Sequence, residues 1–262
     1  MHFLWKSLGK LSKMKTINII GSGNVVYHLL QALKKTQEYK IQNVAVRSLE
    51  KASSFIDRTL LVEKIEDLKT ADITLIAVSD NAIADVSDKI PYADTLVVHT
   101  SGATPMETLN SKNRKGVFYP LQTFSKNKEI DFKKVPLCLE TENADDLIEL
   151  KKLACELTEN VFEISSEQRK SLHIAAVFVN NFVNHLYHIG NEICTENNIP
   201  FEVLKTLIGE TADKINYLSP KDAQTGPAIR HDEKTLQAHE QFLTNETYKS
   251  IYKLITESIQ NV

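Results

Sequence analysis

The sequence predicts an α/β N-terminal domain followed by an all-helical C-terminal domain. Short apolar runs alternate with amphipathic segments as far as about residue 161, these runs stop after Ser165, and helical patterns fill the remainder. Strands that alternate with helices are typical of a parallel sheet covered on both faces. We therefore predict an extension at residues 1–14, a sheet domain at 15–164 and a helical domain at 165–262.

Each predicted element follows from this periodicity and from the turn residues around it. The predicted strands are Thr16–Ile20, Val44–Val46, Ile73–Val78, Thr95–His99, Gly116–Tyr119 and Pro136–Leu139. The predicted helices between them are Asn24–Lys35, Leu49–Phe55, Asn81–Lys89 and Ala144–Glu159. In the second half they are Glu167–Asn197, Phe201–Tyr217 and Lys234–Val262, separated by Pro200, Pro220 and Gly226-Pro227.

Composition restricts the class of protein. With 42% hydrophobic and 25% charged residues, the chain is typical of a soluble globular protein. A net charge of −3 gives no reason to expect nucleic acid or an acidic membrane surface as a partner. Three widely spaced cysteines, Cys138, Cys155 and Cys194, favour reduced thiols in a cytoplasmic protein and support neither a disulfide framework nor a zinc site.

A glycine-rich turn, Gly21-Ser22-Gly23-Asn24-Val25, follows the first predicted strand and begins a helix. Gly21 permits the tight turn, and Gly23 allows the backbone to approach a pyrophosphate at the positive end of that helix. The third position of this dinucleotide fingerprint holds Val26 instead of Gly or Ala, which weakens the match. In its context the turn favours cofactor binding over a purely structural turn.

The second predicted strand indicates which dinucleotide binds. It ends in Val46-Arg47-Ser48 and lacks the acidic residue that holds the ribose of NAD. Arg47 suits a 2′-phosphate, with Ser48 adding a hydrogen bond, so NADP is favoured; the alternative is a solvated loop arginine. At the end of the strand beginning at Ile73, Val78 and Ser79 are expected to border the cofactor, whereas Asp80 or Asn81 is expected to cap the next helix.

Several stretches together are similar to one bacterial family, which joins a Rossmann-like domain to a DUF2520 domain and is often provisionally named NADP oxidoreductase. They are Gly21–Val25 with His28-Leu29, Ala77–Asp80, His99–Gly102, Tyr119–Phe124, His173–Asn181 and Thr225–Asp232. The resemblance implies a Rossmann domain, a helical domain like that of 6-phosphogluconate dehydrogenase, and a homodimer formed through the helical part. The family is related to pyrroline-5-carboxylate reductase and the β-hydroxyacid dehydrogenases. His173 aligns loosely with the catalytic lysine of the latter, so their mechanism does not carry over.

The predicted helix from Glu167 carries an uncharged polar stripe. At 100° per residue, His173, Asn180, Asn184, Tyr187 and Asn191 share one face, widened by Asn181, His185 and His188. In the functional interpretation His173 transfers a proton, Asn180 or Asn181 orients the substrate, and Asn184 adds a substrate contact. The alternative is that the stripe makes only interhelical or intersubunit hydrogen bonds.

Three loops complete the predicted site. The loops His99–Gly102 and Tyr119–Thr123 each leave a strand on the ligand side and are expected at the mouth of the cleft, unless both are turns without a ligand. Within them His99 and Ser101 are expected beside the cofactor, and Gln122 and Thr123 beside the substrate. Arg230 either binds a substrate carboxylate or pairs with Asp232.

Other functions are disfavoured. No nucleophile elbow supports a hydrolase, and no histidine spacing supports a metal site. The predicted function is NADP-dependent hydride transfer to or from a small carbonyl, imine or hydroxy acid. The alternative is an NADP-binding sensor or scaffold without turnover.

Overall fold

A computed structural model describes residues 14–261 of the chain. The predicted extension, apart from Met14, lies outside the described residues. Internal contacts divide the chain into two compact units after Val177, and each unit is described by itself.

The described residues of the N-terminal unit form one eight-stranded sheet. Its strands are β1 (Lys15–Ile20), β2 (Tyr39–Ala45), β3 (Leu61–Val62), β4 (Ile73–Ile76), β5 (Leu96–His99), β6 (Arg114–Pro120), β7 (Leu137–Thr141) and β8 (Val161–Glu163). They are arranged in the order β3-β2-β1-β4-β5-β6-β7-β8. The first six have the strand order of a Rossmann fold, in which the order reverses between β1 and β4 and ligands bind outside the carboxyl ends of the strands.

All neighbouring strands are parallel except β6 and β7, which pair in antiparallel register with Tyr119 opposite Cys138. The prediction of a uniformly parallel sheet was therefore wrong at this edge. Residues 121–136, which contain the 3₁₀ turn Phe132–Lys134, return the chain in the opposite direction.

In the described part of this unit, five helices follow the strands: α1 (Asn24–Leu33), α2 (Leu49–Ala52), α3 (Ile83–Asp88), α4 (Ala144–Leu157) and α5 (Ser166–Ala176). In α1 the apolar residues Val26, Leu29, Leu30 and Leu33 recur at helical spacing and are buried in the sheet core. Ser165 and Gln168 form a capping box that fixes where α5 begins.

The prediction that the second half is helical is confirmed, but the helices begin and end at other residues than predicted. A π-helical segment, Val177–Phe182, precedes α6 (Val183–Glu196), α7 (Glu202–Lys214), α8 (Glu233–Phe242) and α9 (Glu246–Gln260). The predicted single helix from Lys234 is interrupted at residues 243–245, because Asn245 accepts the backbone N–H groups of Thr247 and Tyr248 and starts a new helix. The predicted regular helix Glu167–Asn197 is likewise wrong across the π-helical segment.

Candidate active site

The glycine-rich turn lies where β1 and β4 carry the chain to the same edge of the sheet. Gly21 has φ +131°, a conformation that side chains disfavour. A Cβ atom built on Gly21 would lie 2.2 Å from the Ala77 carbonyl oxygen. Its N–H donates to the Ala45 carbonyl at 2.9 Å. Neighbouring backbone on both sides therefore excludes any residue but glycine.

Gly23 stands in open space by contrast, with no heavy atom within 4 Å of a Cβ built there. It precedes α1, whose first turn has neither a side-chain cap nor an acidic residue. The N-terminal amides of a helix without a cap suit an anion. Val26, at the third fingerprint position, is fully buried within the core and does not obstruct this turn.

A cavity of about 840 Å³ extends from this turn along the carboxyl ends of the strands. Many of the predicted site residues do line it: Gly21, Ser22, Gly23, Asn24, Val25, Arg47, Val78, Ser79, Ser101, Gln122 and His173. Thr100 and Gly102 also line it, as expected for the loop His99–Gly102. Residues not predicted for it include Glu63, Lys64, Ile65, Glu66, Asp80, Val86, Lys89 and Phe124. Its volume lies within the usual range for small-molecule and cofactor sites.

The part of the cavity wall that follows β2 and β3 carries charges of both signs. Arg47 is exposed directly after β2, and Glu63, Lys64 and Glu66 line the wall after β3. Only Arg47 was predicted here, because the two residues of β3 were too few to produce a strand signal. Ser48 precedes α2 and does not line the cavity.

A second part of the cavity wall contains His173 of α5 and Gly102 of the loop that follows β5, and Tyr119 of β6 lies beside both. The His173 Nδ1 atom lies 3.4 Å from the hydroxyl of Tyr119, and the ring centroids are 6.4 Å apart. A Cβ on Gly102 would lie 2.6 Å from Tyr119 Cζ and 2.7 Å from His173 Nδ1. Gly102 therefore provides the room in which the two rings meet.

His99 was predicted to border the cofactor, but it is fully buried and does not line the cavity. Burial, assisted by the positive charge of Arg169, lowers its pKa to about 4, so the ring is neutral at pH 7. Its Nδ1 accepts the Ser101 N–H at 3.2 Å. Its position beside the Ser101 loop indicates a structural role.

Ser101 lines the cavity, but its hydroxyl also closes the turn after β5. Its Oγ accepts the backbone N–H groups of Ala103 and Thr104 at 3.1 and 3.0 Å. The Ser101 hydroxyl therefore stabilises a turn, which is the alternative to a role in binding the cofactor. Thr123 does not line the cavity; its N–H donates to the Gln122 side chain at 2.8 Å.

Asp80 was expected to cap a helix, and that prediction was wrong. Neither Asp80 nor Asn81 makes a side-chain cap, because the chain enters the short 3₁₀ turn Asp80–Ala82 first. Asp80 instead lines the cavity, and its charge contributes to raising the pKa of Tyr119, for which burial is the largest cause.

A buried ion pair holds the first turn of α5. Arg169 is 1% exposed and pairs with Glu140 of β7. The same guanidinium donates to the Thr104 carbonyl at 2.7 Å and to Ser166 Oγ at 3.0 Å. Glu140 also accepts the Ser166 N–H at 2.7 Å. This network was not predicted, because its members are separated by up to 65 residues in sequence.

The remaining predicted residues belong to the C-terminal unit. Asn180, Asn181 and Asn184 are exposed on the π-helical segment and α6. A π-helical turn holds more residues than an α-helical one, so the 100° spacing behind the predicted stripe does not apply across Val177–Phe182. Their contact with a substrate stays a prediction.

Arg230 precedes α8, where Asp232 is the N-cap. The Asp232 carboxylate accepts the Thr235 backbone N–H and hydroxyl at 3.2 and 2.7 Å. These hydrogen bonds lower the pKa of Asp232, with a further contribution from the Arg230 charge. Asp232 thus has a structural role, and a carboxylate-binding role for Arg230 stays a prediction.

Comparisons with known proteins agree with this architecture. Residues 135–259 match the family DUF2520, a domain of unknown function. A Bacteroides fragilis structure named as a putative NADP oxidoreductase is 36% identical, with TM-score 0.87, over 95% of this chain and 99% of that one. No curated protein matches the sequence significantly.

More distant structures share the fold alone. The Thermotoga maritima protein TM1727 is 23% identical, with TM-score 0.73, over 94% of this chain and 97% of that one. A Streptococcus pyogenes 1-pyrroline-5-carboxylate reductase is 13% identical, with TM-score 0.63, over 95% and 99%. Among residues 14–261, no helix combines the length and the apolarity needed to cross a membrane.

Proposed function

The chain belongs to the family that joins a Rossmann-like domain to a DUF2520 domain, and from that premise we propose that it is an NADP-dependent oxidoreductase. It transfers hydride to or from a small carbonyl, imine or hydroxy acid. The observation that carries the proposal is the glycine-rich turn, in which Gly21 is confined by backbone while Gly23 opens onto the cavity. One wall of this cavity contains Arg47 and another contains His173.

The residues of the turn suit a pyrophosphate. Backbone amides at the start of α1 would donate to it, and Gly23 would let it approach closely. Arg47 would bind the 2′-phosphate, which supports NADP over NAD because no acidic residue directly follows β2. Ser79 and Val78, after β4, would border the remainder of the cofactor.

His173 supplies the proton chemistry in this proposal. The nicotinamide, when bound, donates or accepts the hydride. Reduction of a carbonyl or imine leaves an oxygen or nitrogen that must take up a proton, and an imidazole suits that transfer near neutral pH. Gln122 would contact the substrate, and Asn180, Asn181, Asn184 and Arg230 would orient it.

Consumption of NADPH tests this function. The protein is mixed with NADPH and each of a panel of small carbonyls and imines, or with NADP⁺ and each of a panel of hydroxy acids. The absorbance of the reduced nicotinamide is then followed. We expect turnover with one class, and a fall of about 100-fold or more in His173→Gln with NADPH affinity unchanged. Tight NADPH binding without turnover across the panel would instead support the sensor or scaffold function.

We also infer that a second copy of the chain covers the helical unit. Large apolar side chains are exposed there, with Phe178 62%, Val179 74% and Phe182 50% exposed. Others are Leu186, Val203, Leu207, Leu254 and Ile255. Apolar surface of this extent is typical of a protein interface, and the C₂ dimer is the commonest soluble assembly.

A further inference from the structure

We propose that Tyr119 is a positioning residue that holds His173 in the tautomer with its proton on Nε2, by donating its own hydroxyl proton to Nδ1. This inference rests on the proposed function, in which His173 transfers the proton. It adds the group that decides which ring nitrogen carries the N–H. When Nε2 gives that proton to the substrate, Nδ1 takes up the Tyr119 hydroxyl proton so that the ring stays neutral, and the phenolate regains a proton from water.

The first support is the contact itself. The Tyr119 hydroxyl lies 3.4 Å from His173 Nδ1, and the edge of one ring points toward the face of the other. An imidazole nitrogen is a better acceptor than a phenol oxygen, and a phenol is a good donor, so the favoured bond is O–H···N. Catalytic hydrogen bonds that are long without ligand shorten when the substrate binds.

The second support is the protonation state of the phenol. Burial raises the pKa of Tyr119 above its ordinary value of 10, and the neighbouring Cys138 contributes in the same direction. The hydroxyl therefore keeps its proton throughout the physiological range. It is available as a donor whenever His173 is neutral.

The third support is Gly102, whose lack of a side chain permits the contact. A Cβ there would lie within 2.8 Å of the Tyr119 hydroxyl oxygen and 2.7 Å of His173 Nδ1. Real Cβ atoms do not approach other atoms so closely, so any other residue would force the two rings apart.

The fourth support is that Arg169 fixes the three elements that carry these groups. It lies one helical turn before His173 on α5, pairs with Glu140 of β7, and donates to Thr104 in the loop that contains Gly102. Strand β7 in turn pairs with β6, which carries Tyr119. A buried network that fixes second-layer groups is how proteins set the orientation and tautomer of a functional histidine.

The test is ¹⁵N NMR of the histidine-labelled protein, without substrate, at alkaline pH. The His173 resonances are assigned by their loss in His173→Gln. In the parent protein we expect Nε2 to carry the proton and Nδ1 to be hydrogen bonded. In Tyr119→Phe the tautomer ratio should move about fivefold toward Nδ1–H, as expected for the loss of one neutral hydrogen bond.

Two further variants sharpen the result. Tyr217→Phe, at a tyrosine 82% exposed in the C-terminal unit, should leave the His173 resonances unchanged. Gly102→Ala should reproduce the shift of Tyr119→Phe; if that variant does not fold, Tyr119→Phe still decides. Identical His173 resonances in the parent and Tyr119→Phe, or a parent ring protonated on Nδ1, would overturn the proposal.

The NMR result and the turnover assay can fail separately. The NMR experiment uses no substrate, so it can fail while NADPH turnover is observed, and it can succeed in a protein that never consumes NADPH. If turnover exists, Tyr119→Phe should lower kcat about tenfold while leaving the affinity for NADPH unchanged.

Discussion

Gly21 and Gly23 stand two residues apart in one turn, yet their surroundings differ. Gly21 combines a positive φ with a backbone oxygen 2.2 Å from any Cβ, whereas Gly23 has open space around it. The first glycine is therefore required by the protein's own backbone. The second is required only if a ligand approaches the turn.

Alanine substitutions separate these two requirements. Gly21→Ala should lower the free energy of unfolding by roughly 2 kcal/mol or more, because it combines backbone strain with overlap at Ala77. Gly23→Ala should stay within about 1 kcal/mol of the parent but weaken NADPH binding. Urea unfolding and NADPH fluorescence measure the two effects. Unaltered NADPH affinity in Gly23→Ala would contradict binding of the cofactor's pyrophosphate at this turn.

His99 should make stability depend on pH in a defined window. Its pKa is about 4 in the folded protein and near 6.5 when unfolded, so the unfolded chain binds more protons between these values. The stabilisation from neutral His99 is complete above about pH 6.5 and is lost as pH falls toward 4, by roughly 3 kcal/mol in total. Urea unfolding from pH 7.5 to 4.5 should show a steeper loss in the parent than in His99→Gln. Equal pH slopes in both proteins would contradict this.

Individual residues were predictable where their chemistry is local in sequence. The Gly21–Val25 turn and Arg47 were found because each directly follows a strand, and strand ends define the ligand edge of such a sheet. The contact between Tyr119 and His173 was missed because the two residues lie 54 positions apart in sequence. The ion pair of Arg169 with Glu140, at a separation of 29 positions, was missed for the same reason. Residue spacing gives no signal for contacts of that kind.

At the scale of elements, the longer apolar strands and helices were predicted and the short or irregular ones were not. Strands β3 and β8 contain two and three residues, too few for a periodic pattern. The antiparallel pairing of β7 depends on the connection before it, which carries no distinct sequence signal. The π-helical segment at Val177–Phe182 changes the helical repeat, which a search at 100° per residue assumes constant.

The exposed apolar face of the C-terminal helices leads to a prediction about assembly. The double variant Phe182→Asp with Leu186→Asp places charges on side chains 50% and 40% exposed. We expect the parent to sediment at twice its chain mass of 29.6 kDa and the variant to sediment as a monomer. Ile148→Asp, at a similarly exposed apolar residue on α4, should remain dimeric. Monomeric parent protein at micromolar concentration would contradict the inferred dimer.

At the scale of the whole molecule, the change from strands to helices was confirmed, because helical and strand periodicities differ over long segments. The predicted boundary at 164/165 lies just after β8, while contacts divide the chain after Val177. Helix α5 is the source of this difference, since it follows the strands in sequence but packs with the sheet through Arg169. The pattern of hydrophobic residues alone does not predict the ion pair between Arg169 and Glu140.

The central claim is that the cavity beside the glycine-rich turn binds NADP, with Arg47 selecting its 2′-phosphate. Titration with NADPH and with NADH, followed by nicotinamide fluorescence, tests it most directly in three proteins: the parent, Arg47→Ala, and the control Arg58→Ala, whose side chain does not line the cavity. We expect the parent and Arg58→Ala to bind NADPH at least about tenfold more tightly than NADH, and Arg47→Ala to lose about 1–3 kcal/mol of NADPH affinity with little change for NADH. Absence of NADPH binding to the parent, or equal losses for both cofactors in Arg47→Ala, would contradict the claim.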